Sequence, residues 1–224
     1  MLLAIDSATF RASIALHDGA ALRGEYTWEA ADAHTVTLAP HITELLRQTG
    51  VAVADLTGIA VCIGPGSYTG VRIGIAIAKG LALSQQLPLV GVTTLDILVE
   101  GQPPDERPLY AVFAAGRRRI GYARYQFQEH GWHAVSDVTL STWEDLLPRL
   151  ETPALLVGEI VDPQGRKALE TVGAALTLPP AAWHLRRAGF LAEIAWRQLR
   201  KRPRAGQAGI STDPAQLKPL YVGG

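Results

Sequence analysis

Apolar runs short enough to be strands open the chain, followed by longer stretches in which apolar residues recur every three or four positions. Leu2–Asp6, Ala12–His17 and Ala21–Trp28 are of the first kind, and Asp18-Gly19 between the last two is a favoured two-residue hairpin turn. From His34 to Thr49, Val36, Ala39, Ile42, Leu45 and Leu46 recur at helical spacing, and Gly50 supplies a stop. Pro40 inside that stretch predicts a bend or a later start, since proline removes a backbone donor. Leu87–Val92 reads as a further buried strand and Thr94 to Glu100 as a short helix.

The stretch from Ile59 to Ala82 organises this first half. Its apolar run is broken by Gly64-Pro65-Gly66-Ser67, and a helix follows for which Thr69 is well placed as cap. At about 100° per residue, Gly70, Gly74, Ala78 and Ala82 form one stripe of small residues, with Ile73, Ile77 and Leu81 beside it. Arg72 and Lys79 supply its charge. So wide an apolar arc predicts either a second buried face, made by a partner, or a helix enclosed in the chain's own core. Periodicity leaves both open.

Gly101 to Pro108 holds three prolines in eight residues and is expected to link two halves. After it the order of elements starts again. Leu109–Ala114, Ile120–Phe127 and Trp132–Leu140 read as strands, and Ser141-Thr142-Trp143-Glu144 as a capping box opening a helix to about Leu150. Leu155–Val157 reads as a strand, Arg166–Val172 as a helix, Leu176–Leu178 as a strand and Leu185–Arg200 as a helix. Each half thus runs three strands, helix, strand, helix, strand. That order predicts a duplicated α/β unit with subdomains at 1–102 and 103–224.

Composition narrows the class. A chain of 224 residues, 48% hydrophobic, can bury a sizeable core. Formal net charge is zero, but residues 1–104 carry 5 basic and 9 acidic residues and residues 105–224 carry 16 and 12. That asymmetry is too mild to hold nucleic acid by charge alone. Cys62, the one cysteine, lies in an apolar run and reads as a small buried hydrophobe. With no signal-peptide pattern and no apolar run of membrane-spanning length, the expectation is a cytoplasmic globular protein without membrane contact.

A strand–hairpin–strand opening with Asp6 at its first turn, repeated once, is the plan of the actin-like ATPase fold (ASKHA, ribonuclease H-like). There, glycine-bearing hairpins wrap phosphates and carboxylates hold Mg²⁺. Here the first hairpin, Asp6-Ser7-Ala8-Thr9-Phe10-Arg11, lacks glycine, and the matching Ala114–Arg119 hairpin lacks a carboxylate. Asp6 and Ser7 are candidates for a vestigial nucleotide site, and Asp6 reads first as a turn residue. His34 and His41 are seven residues apart, so on a helix they stand about 10 Å apart and share no ion. Gly66-Ser67 lacks the flanks of a nucleophile elbow, and no Walker spacing is present. No cofactor or metal is expected. Two basic clusters remain: Arg117-Arg118-Arg119, and Arg186, Arg187, Arg197, Arg200, Lys201, Arg202 and Arg204 around the last helix. They read as solvated charge or, for Arg197 to Arg204, as a contact to RNA phosphates.

Ala4–Thr9, the helix opening at His34 with Leu38 and Pro40, Gly64–Gly74, Pro88–Leu95 and the closing Pro219–Val222 together resemble the TsaB (YeaZ) family. The resemblance is close over residues 1–100 and loose afterwards, where Arg117 and Tyr122 still match. It implies a non-catalytic dimerisation subunit in the synthesis of threonylcarbamoyladenosine, the modified base next to the anticodon of tRNAs reading codons that start with A. In that pathway TsaC makes threonylcarbamoyl-adenylate, TsaD transfers the group to the adenosine, and TsaE, an ATPase, joins the TsaB–TsaD pair. The family pairs through N-terminal-domain helices, with TsaD or with a second copy, and reaches tRNA through the complex. On this chain the implied partner surface is Gly70, Ile73, Gly74, Ile77, Ala78 and Leu81, with the His34–Leu46 helix beside it. Where the family has Asp-Ala-Arg in its second hairpin this chain has Ala115-Gly116-Arg117, a departure that weakens a nucleotide role. An ATP-dependent phosphotransferase of the same fold is the competing expectation. A peptidase finds no nucleophile or metal set here.

Overall fold

The computed structural model describes residues 1–30, 34–116, 118–160, 163–172, 175–200, 210–211 and 214–222. The first elements are β1 (Leu2–Asp6), β2 (Arg11–His17), β3 (Leu22–Glu29), α1 (His34–Thr49), β4 (Gly58–Cys62), α2 (Tyr68–Gln85), β5 (Leu89–Val92) and α3 (Thr94–Glu100). There follow β6 (Leu109–Ala114), β7 (Ile120–Gln128), β8 (Gly131–Ala134), β9 (Thr139–Ser141), α4 (Trp143–Leu146), β10 (Ala154–Gly158), α5 (Pro163–Val172), β11 (Leu176–Thr177), α6 (Ala188–Arg200) and β12 (Ile210–Ser211).

The expected duplication is present in the strand order. One sheet runs β12-β5-β4-β1-β2-β3 and the other β11-β10-β6-β7-β8, with β9 added beside β7. In each, the first strand pairs antiparallel with the second and parallel with the strand that follows the first helix, β4 with β1 and β10 with β6. This is the duplicated actin-like ATPase plan.

The chain divides into two compact units, but not at residue 102. One unit is Met1–Ile97 with Arg187–Leu220, the other Leu98–Arg186 with Tyr221–Gly224. The physical reason is α6. Its apolar stripe of Ala188, Leu191, Ala192 and Ala195 is fully buried in the same core as β1, β2 and β4, and a buried leucine contributes roughly 1.5–3 kcal/mol. Side-chain alternation shows which face it covers. Ser13, His17 and Glu25 bond to Ala188, Glu193 and Gly189 of α6, whereas Tyr26 and Trp28 bond to Gln48 and Thr37 of α1. Successive strand residues point to opposite faces, so α6 covers one face of the sheet and α1 the other. Val61, next to Gly74 of α2, has the opposite parity to Gly58, which faces Leu199 of α6. Thus α2 lies on the α1 side.

Three local expectations need correction. Trp132–Leu140 is not one strand, because the hydroxyl of Ser136 accepts from Arg124 N at 2.9 Å in place of a ladder partner and separates β8 from β9. The helix capped by Thr142 keeps α geometry only to Leu146 and tightens to a 3₁₀ turn at Leu147–Arg149, where Pro148 cannot donate. Pro40, by contrast, neither delays nor ends α1. It is exposed, where water can serve the carbonyl it leaves unpaired.

Candidate functional site

The turn after β1 and the loop before α2 are bonded to each other. Ala8 N donates to Asp6 Oδ1 at 2.9 Å, so Asp6 serves the turn as expected of its residue type. Ser67 N donates to Ala8 O at 2.6 Å, and Ser7 Oγ donates to Gly70 O at 2.8 Å. Asp6, Ser7, Ala8 and Thr9 are all buried. The cap of α2 is Ser67 rather than Thr69: its side chain accepts from Gly70 N at 3.2 Å. The bond from Ser67 N to Ala8 fixes where the chain turns, and the helix starts from there.

These contacts decide what the stripe of small residues does. A Cβ on Gly70 would come within 3.0 Å of the Ser7 carbonyl oxygen, and one on Gly74 equally close to the Ser7 hydroxyl. Ala78 and Ala82 are fully buried. Gly70, Gly74 and Ala78 therefore belong to the chain's own core, and the expectation that they form partner surface is corrected: the stripe admits Ser7 and its turn. Ile73, Ile77 and Leu81 lie at its edge, half-buried against the core.

The opposite side of α2 was not singled out by the sequence reading, although the same wheel contains it. Thr69, Ala76 and Gly80 are exposed there, with Leu83 59% exposed. A Cβ on Gly80 would meet nothing within 4 Å. The two charges of the helix are drawn aside: the Arg72 guanidinium lies 3.7 Å from the centroid of the Tyr68 ring, and Lys79 Nζ donates to Ala215 O at 3.1 Å. On α1, Thr35, Val36, Ala39, Pro40 and Thr43 are likewise exposed and uncharged. A helix exposed on one side ordinarily carries charge there.

Elsewhere the candidates separate. Arg197 and Arg200 are exposed on α6, where Arg200 Nη2 donates to Gly19 O at 3.4 Å. Lys201, Arg202, Arg204 and Arg117 lie outside the described residues. His34 is buried near Gly70, whereas the His41 ring stacks on Trp28 at 4.3 Å, so neither is a solvated surface histidine. Cys62 is buried, its Sγ 3.4 Å from Thr94 Oγ1. Among the described residues, no three histidine, cysteine or acidic side chains gather as metal ligands, and no helix is long and apolar enough to cross a membrane.

Known proteins resemble this chain in sequence and in fold. A family model described as TsaD, tRNA N6-adenosine threonylcarbamoyltransferase, matches residues 26–178. The tRNA threonylcarbamoyladenosine biosynthesis protein TsaB of Escherichia coli is 36% identical over 135 residues, 59% of this chain and 58% of that protein. The match therefore spans little more than half of that relative. TsaB of Bacillus subtilis is 30% identical over 194 residues, 85% of each chain. The solved structure of YeaZ from Pseudomonas aeruginosa superposes with a TM-score of 0.75 at 24% identity over 99% of both chains, a likeness of fold. On the match to Bacillus subtilis TsaB across most of both chains, this chain belongs to the TsaB (YeaZ) family of tRNA threonylcarbamoyladenosine biosynthesis proteins.

Proposed function

We propose that this chain is the non-catalytic pairing subunit of a cytoplasmic threonylcarbamoyladenosine synthesis complex. It docks TsaD through the outward faces of α2 and α1 and, together with the ATPase TsaE, supports threonylcarbamoyl transfer to the adenosine next to the tRNA anticodon. The observation that carries this reading is the outward face of α2, with Ile73, Ala76, Ile77, Gly80 and Leu83 lying half-buried or open to solvent and both helix charges tied aside. Small residues at Ala76 and Gly80 let another helix approach closely, and apolar neighbours supply the area that association needs. In this reading Ile73, Ile77 and Leu81, at the edge of that face, also meet the partner. The same surface suits a second copy of the chain when TsaD is absent.

A nucleotide-binding role draws less support. The turn that would approach phosphate has its groups engaged: Asp6 Oδ1 with Ala8 N, Ser7 Oγ with Gly70 O, and Ala8 O with Ser67 N.

Reconstitution tests the role. Threonylcarbamoyl transfer to tRNA by TsaD and TsaE of the same organism should depend on adding this chain, and Ala76→Arg should abolish that dependence. Full transfer without the chain would refute the role. Mg-ATP turnover by the chain alone would restore the phosphotransferase reading.

A further inference from the structure

On the α6 face of the first sheet lies a cavity of about 170 Å³ lined by His17, Leu22, Arg187, Gly189, Phe190 and Glu193. The chain itself fixes its polar walls. Gly19 N donates to His17 Nδ1 at 2.9 Å, so the ring proton is assigned to Nε2, which donates to Glu193 Oε1 at 2.9 Å. A neutral imidazole thus orients Glu193 without cancelling its charge. The Arg187 guanidinium is taken by Glu25, whose other oxygen accepts from Gly189 N at 2.7 Å. Ala188 N donates to Ser13 Oγ at 2.9 Å. The first N–H groups of α6 are therefore already used, and the amino end of the helix does not make this an anion site. Among the described residues the Glu193 carboxylate has no lysine or arginine partner; it is half-exposed, beside the Phe190 ring and the exposed side chain of Leu22.

We infer that this cavity binds a cationic head on an apolar stem, and that its occupant is a lysine or arginine side chain of a partner protein. Glu193 accepts from the ammonium or guanidinium and Leu22 covers the methylenes, with the Phe190 ring, over which Arg187 already lies at 5.8 Å from the centroid, as a further apolar wall. The volume is close to the roughly 150 Å³ that encloses a benzene ring, so it suits the end of a side chain. A free amino acid would also need a partner for its carboxylate, and Arg187 is already held by Glu25. The site lies on the face of the sheet opposite α1 and α2, so the inference does not rest on the pairing role.

The test is an NMR titration of the isotope-labelled full chain with butylguanidinium, butylammonium and, as neutral control, pentanol, following the amides of Gly19 and Gly189. Both cations should give saturable shifts and pentanol none. Binding should weaken about tenfold or more in Glu193→Gln, whose amide oxygen still accepts from His17 and so preserves the local fold. N-acetyl-arginine amide should bind at least as tightly as free arginine. Equal response to pentanol, or undiminished binding by Glu193→Gln, would overturn the cation site. Tighter binding of free arginine than of the blocked form would overturn the partner side chain as its occupant.

Discussion

Gly70, Gly74 and Gly80 share one helix but not one environment, because the first two press on Ser7 and the third faces open space. Gly80→Ala should stabilise the chain by about 0.5–1 kcal/mol, since alanine has less backbone freedom to lose in a helix. Gly70→Ala should destabilise it by about 1–3 kcal/mol, because the added methyl meets a backbone carbonyl that cannot turn aside. Urea unfolding of the two variants reads both signs, and a stabilised Gly70→Ala would contradict the packing described for α2. The stripe itself was legible in the sequence, since helical spacing alone aligns Gly70, Gly74 and Ala78. Its neighbour was not: Ser7 is 63 residues from Gly70, and only the pairing of β1 with β4 brings that turn to the helix. The cap was missed for a related reason. Ser67 and Thr69 carry equivalent hydroxyls, and the long-range bond from Ser67 N to Ala8 selects between them.

Among the elements, α1 and the end of β10 respond to charge in different ways. On the outer side of α1, hydrogen bonds from Arg47 and Gln48 hold the Glu44 carboxyl at about 2, well below its ordinary 4.5. A depressed carboxylate adds stability above its unfolded value and loses that contribution as pH falls toward its folded one. Glu44→Gln should therefore flatten the pH dependence of unfolding between about 4.5 and about 2, which acid titrations at fixed urea can follow. At the end of β10, Arg186 and Glu159 are paired at 2.8 Å with each side chain 4% exposed, and Glu159 also accepts from Ala114 N at 3.0 Å. Arg186→Met takes the guanidinium away from that buried carboxylate and should cost about 3–5 kcal/mol. The double variant with Glu159→Gln should cost less than the two single changes summed, and thermal unfolding of the three variants decides it. The element boundaries of β1, α1, α3 and β6 were readable from apolar periodicity and turn residues. The break between β8 and β9 was not, since an unbroken run from Trp132 to Leu140 carries no glycine or proline to mark it.

For the whole molecule, the duplication could be read from the order of elements, but the division of the chain could not. Nothing local in Leu185–Arg200 says which sheet its apolar stripe will cover; the match of Ala188, Leu191 and Ala195 to the β1–β2 surface decides it. A fragment of residues 1–102 therefore lacks the cover for one sheet face and should show no cooperative unfolding. The same fragment joined by a short linker to residues 187–220 should recover it, as followed by circular dichroism on heating. The central claim is that the outward face of α2 pairs this chain with TsaD. The most direct measurement is light scattering behind a sizing column on this chain mixed with TsaD from the same organism, with Gly80→Arg run alongside. A one-to-one complex that Gly80→Arg abolishes, while the variant alone melts like the parent, is the predicted result. Separate elution of the parent and TsaD, or a complex that survives Gly80→Arg, would contradict it.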